Sequence, residues 1–273
     1  MSRLRAATCC LALLAASAQG LAGSPAAVAK GKFCPHRATT AHFVIEFSLP
    51  EDTGSVYADL CEKAYKRFSG IFDVDRDEVV WQGKCYVFLF RNRAEFVRFA
   101  AAVHGRTAAI SGGYTTISKK NPVIVLFLNR DDHTKLQQTL VHEMTHVFLE
   151  LFRTKGRIRT WLHEGFAQYF EFKHKPGRSR LALSRRIVKA MVSANATRPL
   201  AGFWTAYFPP TDVAGYAQAW SLVDFMATSK KRTGKFIIKI KQGRSQEQAL
   251  KEAFGLSREQ LEAKWKRHVL KTY

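Results

Sequence analysis

The most constraining feature of the sequence is a long, strongly apolar helical segment, Lys135–Phe152, that carries two histidines one turn apart. The histidines belong to the string His142-Glu143-Met144-Thr145-His146, which has apolar residues on both sides. Side chains at positions i and i+4 project from the same face of a helix. Because two imidazoles and a carboxylate are costly to bury without a compensating partner, the segment predicts a core helix built around a polar centre.

A metal ion is the partner that this spacing favours. Two histidines one turn apart can both reach a single tetrahedral Zn²⁺. Glu143 points to the neighbouring side, where it can accept the proton of a zinc-activated water that attacks a carbonyl. The competing interpretation is a helix with two surface histidines, which the apolar flanks disfavour. We therefore predict one zinc ion, with His142 and His146 as ligands and Glu143 as general base.

A third ligand is expected from the next helical segment, Arg159–Phe172, after an antiparallel return of the chain. Glu164 and His163 are both suitable ligands, but adjacent helical positions point about 100° apart. Only one of them can face the metal, and we prefer Glu164. Gln168 and Glu171 follow one and two turns later, and either could orient a ligating imidazole through its second ring nitrogen.

These motifs carry a resemblance to known proteins. The HExxH string followed by Trp161-Leu162-His163-Glu164-Gly165-Phe166-Ala167 resembles the gluzincin metallopeptidases, and the second segment is similar to the aminopeptidase N family. The chain from about residue 40 to 270 resembles the compact peptidase MA-like domain proteins. That resemblance includes the strand Val123–Leu128, the Tyr-Ala-Gln-Ala-Trp-Ser segment at 216–221, and the Phe-Gly…Leu-Glu-x-Lys-Trp ending.

The resemblance implies His142, His146 and Glu164 as zinc ligands and Glu143 as base. It also implies that Val123–Leu128 is an edge strand along which an extended substrate lies. Gluzincins of the aminopeptidase N type place a tyrosine downstream to hydrogen-bond the oxyanion, and Tyr216 is the candidate here. The alternative for Tyr216 is an ordinary core or rim aromatic. Asp224 could support the site, although a solvated helix face explains it equally well.

The N-terminus has the pattern of a secretory signal. Arg3 and Arg5 precede an apolar stretch, and Ala16-Ser17-Ala18 fits the small-x-small rule for cleavage after Ala18. The prediction is a signal peptide at 1–18, a tail or linker at 19–40, and a secreted or periplasmic protein. Export permits disulfides, so Cys34, Cys61 and Cys85 could form one bridge, or all three could be buried thiols.

The remaining pattern predicts an α+β, zincin-like domain at 41–273 with two lobes and the active site in the cleft between them. A mixed sheet with helices occupies about 41–155, and a helical lobe about 156–273. The expected strands are His42–Leu49, Cys85–Phe90, Tyr114–Ser118 and Val123–Leu128. The expected helices include Thr53–Phe72, Arg93–Val103, Leu181–Ala194, Tyr216–Ser229 and two C-terminal helices with capping boxes at Ser245/Gln248 and Ser257/Gln260.

Composition limits the partners. A hydrophobic content of 47% with 24% charged residues is typical of a globular protein, and no apolar run is long enough for a polytopic membrane protein. The formal net charge of +21, or +19 without Arg3 and Arg5, favours acidic substrates, anionic envelope polymers or anionic membrane surfaces. Export and the lack of a recognisable motif disfavour nucleic acid.

Together these features predict a monomeric zinc metallohydrolase that cleaves peptide bonds. The alternative is a zinc-stabilised module that binds peptides or polyanions without cutting them. An intact Glu143 argues against that alternative, because binding alone needs no base.

Overall fold

The sheet at the centre of the fold is mixed, as predicted. The structure, a computed structural model, describes residues 33–74, 78–104, 113–153, 157–174, 178–209 and 211–273, so the predicted signal peptide and its cleavage site lie outside the described residues. The five strands are β1 (His36–Thr39), β2 (Phe43–Phe47), β3 (Cys85–Phe90), β4 (Gly113–Thr116) and β5 (Val123–Phe127). Their order is β1-β2-β3-β5-β4. Strands β2, β3 and β5 are parallel, whereas β1 and β4 pair antiparallel at the two edges.

The central strands are buried on both faces, which is why they are apolar at nearly every position. Phe88 and Phe90 of β3 and Val125 of β5 pack on one side, against Phe96 and Phe99 of the helix Arg93–His104. The alternate residues of the same strands pack on the other side into the larger core. The sheet therefore lies between a single helix and the main helical body.

The helices follow the predicted order closely. They are α1 (Thr53–Phe72), α2 (Arg93–His104), α3 (His133–Leu151), α4 (Thr160–His174), α5 (Arg178–Ser193), α6 (Leu200–Phe203), α7 (Val213–Met226), α8 (Lys230–Lys241), α9 (Gln246–Phe254) and α10 (Arg258–Thr272). Both predicted capping boxes, Ser245/Gln248 on α9 and Ser257/Gln260 on α10, are confirmed. None of the helices in the described part of the chain is long and apolar enough to cross a bilayer.

The edge-strand prediction for Val123–Leu128 is wrong. Strand β5 is hydrogen-bonded to β3 on one side and to β4 on the other, so β4 is the edge beside it. Gly113 of β4 pairs with Leu126, and Thr116 pairs with Val123. A four-residue strand of Gly, Tyr and Thr adds little apolar signal to the sequence, yet it pairs with four of the five residues of β5.

The sheet also begins earlier than the sequence pattern indicated. Residues 36–39, which were assigned to a tail or linker, form β1 and pair with Val44–Phe47 of β2. Their side chains are alternately half-buried and exposed, so they lack the apolar run that marks an interior strand. The pairing partner, rather than local composition, determines this strand.

Helix α8 lies in a lysine- and arginine-rich cluster, Ser229–Lys241, which the sequence pattern attributes in large part to the solvated face of amphipathic helices. Phe236, Ile237 and Ile240 are nevertheless buried along one face. The basic residues of its first turn, Lys230 to Arg232, and Lys235 are exposed. An amphipathic helix therefore accounts for part of the basic cluster.

The three cysteines of the described residues, Cys34, Cys61 and Cys85, are all free and buried. They occupy the N-terminal segment, helix α1 and strand β3 respectively. Of the two possibilities that the sequence left open, the structure has the buried thiols.

Candidate metal centre

Helix α3 carries the two histidines on the face that meets helix α4. Its N-terminus is capped by Asp132, whose side chain accepts a hydrogen bond from the backbone N–H of Lys135. The rings of His142 and His146 lie 4.8 Å apart between centroids. His146 is only 4% exposed. The helix therefore places two imidazoles side by side in a largely desolvated position.

Helix α4 brings Glu164 to both rings. Its carboxylate oxygens lie 3.7 Å from Nε2 of His142 and 3.9 Å from Nε2 of His146. One ligand atom from each of the three residues lies within 4.8 Å of the other two. The structure thus brings together the three residues that the sequence singled out as ligands.

Gly165 permits this approach. Helix α4 packs against both α3 and α7, and a Cβ atom at Gly165 would lie 2.7 Å from the carbonyl oxygen of Ala219 and from Val223. Only glycine fits at such a distance, so the residue after Glu164 sets how closely α4 can lie on α7.

The cluster fits a metal ion. Distances of 3.7–3.9 Å are too long for hydrogen bonds between the carboxylate and the imidazoles. Ligands bound about 2 Å from a tetrahedral ion lie roughly 3.4 Å apart, so the three ligand atoms, which lie within 4.8 Å of one another, would have to move closer together around the ion. Burial raises the pKa of Glu164, which means that its charge lacks a sufficient partner within the protein. A divalent cation would supply that partner.

Glu171 occupies the other nitrogen of His142. Its carboxylate lies 3.3 Å from Nδ1 and also contacts Arg180 and Lys135. Although burial opposes it, these partners lower the pKa of Glu171 to about 2, so the carboxylate stays charged. The Glu171 carboxylate accepts a hydrogen bond from Nδ1–H of His142. The lone pair on Nε2 of His142 then faces Glu164. Burial disfavours protonation of His142, but the Glu171 hydrogen bond and the neighbouring carboxylates outweigh it and raise the pKa of that ring.

Of the two proposed supporting residues, only Glu171 has this contact in the described structure. Gln168 is buried on the same helix, but no hydrogen bond of its amide is found among the residues that the structure describes. Position along a helix could not separate these two, because the decisive partner lies on another element.

His163 supports His146 from the opposite side. Its Nδ1 lies 3.5 Å from Nδ1 of His146, and its Nε2 lies 3.3 Å from the Glu150 carboxylate. If His146 uses Nε2 for a ligand, it must donate from Nδ1, so His163 accepts at Nδ1 and donates from Nε2 to Glu150. The residue that competed with Glu164 therefore lies on the Nδ1 side of His146, away from the ligand side.

The protonation state of His146 is the one that a metal ligand needs. Burial, together with the neighbouring His142 and His163 rings, lowers its pKa well below the ordinary value. The imidazole is therefore neutral, which is the form that binds a metal. Glu150 was not among the predicted site residues, although its place one turn after His146 on the same helix was an available signal.

Glu143 lies next to the three candidate ligands and is completely buried. Its Oε2 accepts a hydrogen bond of 2.9 Å from the Thr115 hydroxyl of edge strand β4. Its Oε1 has no hydrogen-bond partner among the described residues. Burial raises the pKa of Glu143 to about 7, which is the range in which a carboxylate both accepts and releases protons at neutral pH. Nothing in the Thr-Thr sequence of β4 indicated the role of Thr115.

The contacts of Tyr216 and Asp224, the two remaining candidates, are with residues outside the cluster of His142, His146 and Glu164. Tyr216 lies in the first turn of α7, half-buried, with its ring 6.1 Å from that of Phe208. Asp224 accepts a hydrogen bond of 2.9 Å from the Tyr273 hydroxyl and lies 3.9 Å from Lys173. Asp224 thus ties the C-terminal residue to α7, and the oxyanion role of Tyr216 stays a prediction.

Comparison with known proteins agrees with this geometry. No curated protein matches the chain. A sequence profile of the Peptidase MA superfamily matches residues 107–271, which is more than half of the chain and contains the whole cluster. The chain therefore belongs to the Peptidase MA superfamily, and this region is a metallopeptidase-like domain.

Proposed function

We propose that the protein is a zinc-dependent metallohydrolase of the gluzincin type that cleaves peptide bonds. The observation that carries the proposal is the convergence of His142, His146 and Glu164, with their ligand atoms within 4.8 Å of one another. The buried Glu143 beside them supplies a group that a purely structural metal site would not need.

The protein residues around the cluster suit hydrolysis. A divalent cation at this position would polarise the scissile carbonyl and increase the acidity of water. Glu143 accepts the water proton at Oε1, while Thr115 holds Oε2 in place. With a pKa of about 7, the carboxyl can then pass that proton to the leaving amine. We propose Tyr216 as the donor that stabilises the oxyanion.

Edge strand β4 suggests how a peptide substrate binds. An extended peptide can add to the edge of a sheet through main-chain hydrogen bonds, and β4 is the last strand on this side of the described sheet. Thr115 of β4 contacts the proposed base directly, so a peptide alongside β4 would pass close to Glu143. This replaces the earlier expectation that β5 is the edge. We further propose that the peptide lies in a cleft between residues 41–155 and 156–273, since those two regions supply the histidines and Glu164 respectively.

The setting of the enzyme is also proposed from the sequence. We propose a secreted or periplasmic location, which the signal-like N-terminus supports, and a monomeric protein. The high positive charge supports acidic peptide or protein substrates, or attachment to an anionic envelope polymer or membrane surface.

A digest of a proteome-derived peptide library tests the activity. We expect the zinc-loaded protein to cleave library peptides, a chelator to abolish cleavage, and added zinc to restore it. Glu143→Gln should lower the rate by about a thousandfold or more, because the proton acceptor is lost. Glu51→Gln, at an exposed glutamate outside the cluster, is the matched control and should cleave like the wild type.

Two results would contradict the proposal. Cleavage by Glu143→Gln at the wild-type rate would remove the assigned base. Zinc binding with peptide affinity but no cleavage of any library member would favour the non-catalytic module instead.

A further inference from the structure

A second site lies in a groove formed by the end of α7, the start of α8, the end of α9 and helix α10. It has a volume of about 410 Å³, which is within the usual range for ligand pockets. Four cationic side chains line it, namely Arg232, Lys264, Arg267 and Lys271. The proposed metal centre contributes no residue to this groove.

The cations of the groove have no acidic partner in the described part of the chain, although the charge of Asp224 acts on the His268 ring in its wall. No aspartate or glutamate lines it, and among the described residues none of its four cations forms an ion pair. Other cations of α10 are paired: Lys266 with Glu262, and Arg258 with Glu247. Acidic residues therefore compensate charge elsewhere on this helix and leave the groove uncompensated.

The spacing along α10 concentrates this charge. Lys264, Arg267 and Lys271 follow one another at three- and four-residue intervals, so they lie along one face of the helix. Like charges at such positions repel and slightly destabilise a helix. An anionic ligand would relieve that repulsion.

The floor of the groove is apolar. Phe225, Phe254 and Leu256 line it and are each half-buried. The ring of His268 lies 5.2 Å from that of Phe225 and continues the same wall. A simple polyanion would leave these apolar side chains unused, whereas a ligand with both anionic and apolar groups would contact both kinds of surface.

We propose that this groove binds an acidic peptide segment that carries at least one apolar side chain. The apolar side chain enters between Phe225, Phe254 and Leu256, and the flanking carboxylates pair with the cations on the rim. A flat anionic bilayer fits less well, because a concave floor lies out of reach of a planar surface. The site is independent of the proposed hydrolytic function and needs no metal.

Fluorescence anisotropy with a labelled peptide, Glu-Glu-Leu-Phe-Glu-Glu, tests the proposal on the full chain. Mass spectrometry would establish that the peptide stays intact during the measurement. The groove variant is Lys264→Glu/Arg267→Glu. The matched control is Arg186→Glu/Lys189→Glu, which changes two exposed cations of α5 and shifts the net charge equally. Thermal unfolding of both variants would establish that they fold.

We expect saturable binding of the peptide. The groove variant should weaken it by about tenfold or more, because two attractive contacts with the peptide carboxylates become repulsive. The control variant should weaken it by less than about threefold, because its two charges lie outside the groove. Replacing Leu and Phe of the peptide by Ser should also weaken binding by about tenfold, because the apolar contact is lost.

Equal weakening by the two protein variants would mean that only the net charge matters, and would overturn the proposal. Equal binding of the Ser-substituted peptide, or tighter binding to vesicles of anionic lipid than to the peptide, would overturn it as well.

Discussion

At the scale of single residues, the two histidines are distinguished by what their Nδ1 atoms contact. His142 meets the charged Glu171, whereas His146 meets the ring of His163, which in turn meets Glu150. Both arrangements leave Nε2 free for the same point beside Glu164. The supporting residues therefore fix the tautomer that metal binding requires.

Replacing Glu171 by Gln tests the support of His142. The amide is isosteric but lacks the charge that holds the Nδ1 proton, so we expect zinc affinity to fall by about tenfold to a hundredfold. Competition with a fluorescent zinc chelator measures this directly. Gln168→Leu, on the same helix, should change the affinity much less. An equal loss in both variants would mean that general disruption of α4, rather than the Glu171 contact, is responsible.

Replacing His163 tests the support of His146. In His163→Asn the side-chain oxygen can still accept from Nδ1 of His146, whereas in His163→Leu nothing can. We therefore expect the Leu variant to bind zinc at least about tenfold more weakly than the Asn variant. The difference should appear as faster zinc dissociation when a chelator captures the released ion. Identical affinities would contradict the assigned tautomer.

The sequence was informative about this site where one helix carries the pattern. The spacing of His142, Glu143 and His146 within one apolar helix predicted their roles. The segment of the next helix predicted Glu164 as the third ligand. Thr115 was not predictable, because its contact with Glu143 joins residues 28 apart in the chain. That contact depends on how β4 is paired, which no local pattern records.

At the scale of elements, the closeness of α4 and α7 positions the third ligand. Gly165 lies against the Ala219 carbonyl with no room for a methyl group.

Elements with strong local signals, such as the central strands and the capped helices, were predictable. Strand β1, which is defined by its pairing with β2, was not, because pairing outweighs its weak local pattern.

The substitution Gly165→Ala tests the packing of α4 on α7. The added methyl group should push the helices apart, lower the stability by about 1–3 kcal/mol and weaken zinc binding by moving Glu164. Urea unfolding and chelator competition measure the two effects. Gly70→Ala on α1, where a methyl group meets nothing within 4 Å, should instead stabilise the fold by about 0.5–1 kcal/mol. A neutral Gly165→Ala would show that the contact is not limiting.

At the scale of the whole molecule, three buried thiols make stability sensitive to alkaline pH. Burial, with smaller contributions from Glu46 and Glu95, raises the pKa of Cys34 to about 12. Burial also raises the pKa of Cys61 and Cys85 well above the ordinary value. The unfolded chain releases these protons near pH 8.5 and the folded chain does not, so the stabilisation is complete below that pH and is lost above it.

We therefore expect the free energy of unfolding to fall between pH 9 and 10 by up to about 1.4 kcal/mol per pH unit for each thiol. Lys241 acts in the opposite direction, because burial lowers its pKa to about 8, and it offsets about one thiol. Urea unfolding under reducing conditions measures the slope. A Cys61→Ala/Cys85→Ala variant should be less stable but have a distinctly shallower slope, and an unchanged slope would contradict the assignment.

The zinc content of the purified chain tests the central claim most directly. Elemental analysis should find about one zinc ion per chain in the wild type and in Glu143→Gln, since that variant keeps all three ligands. His146→Ala and Glu164→Ala, if folded by circular dichroism, should retain almost none. Substoichiometric zinc in the wild type after incubation with the metal, or full retention in both ligand variants, would contradict the account.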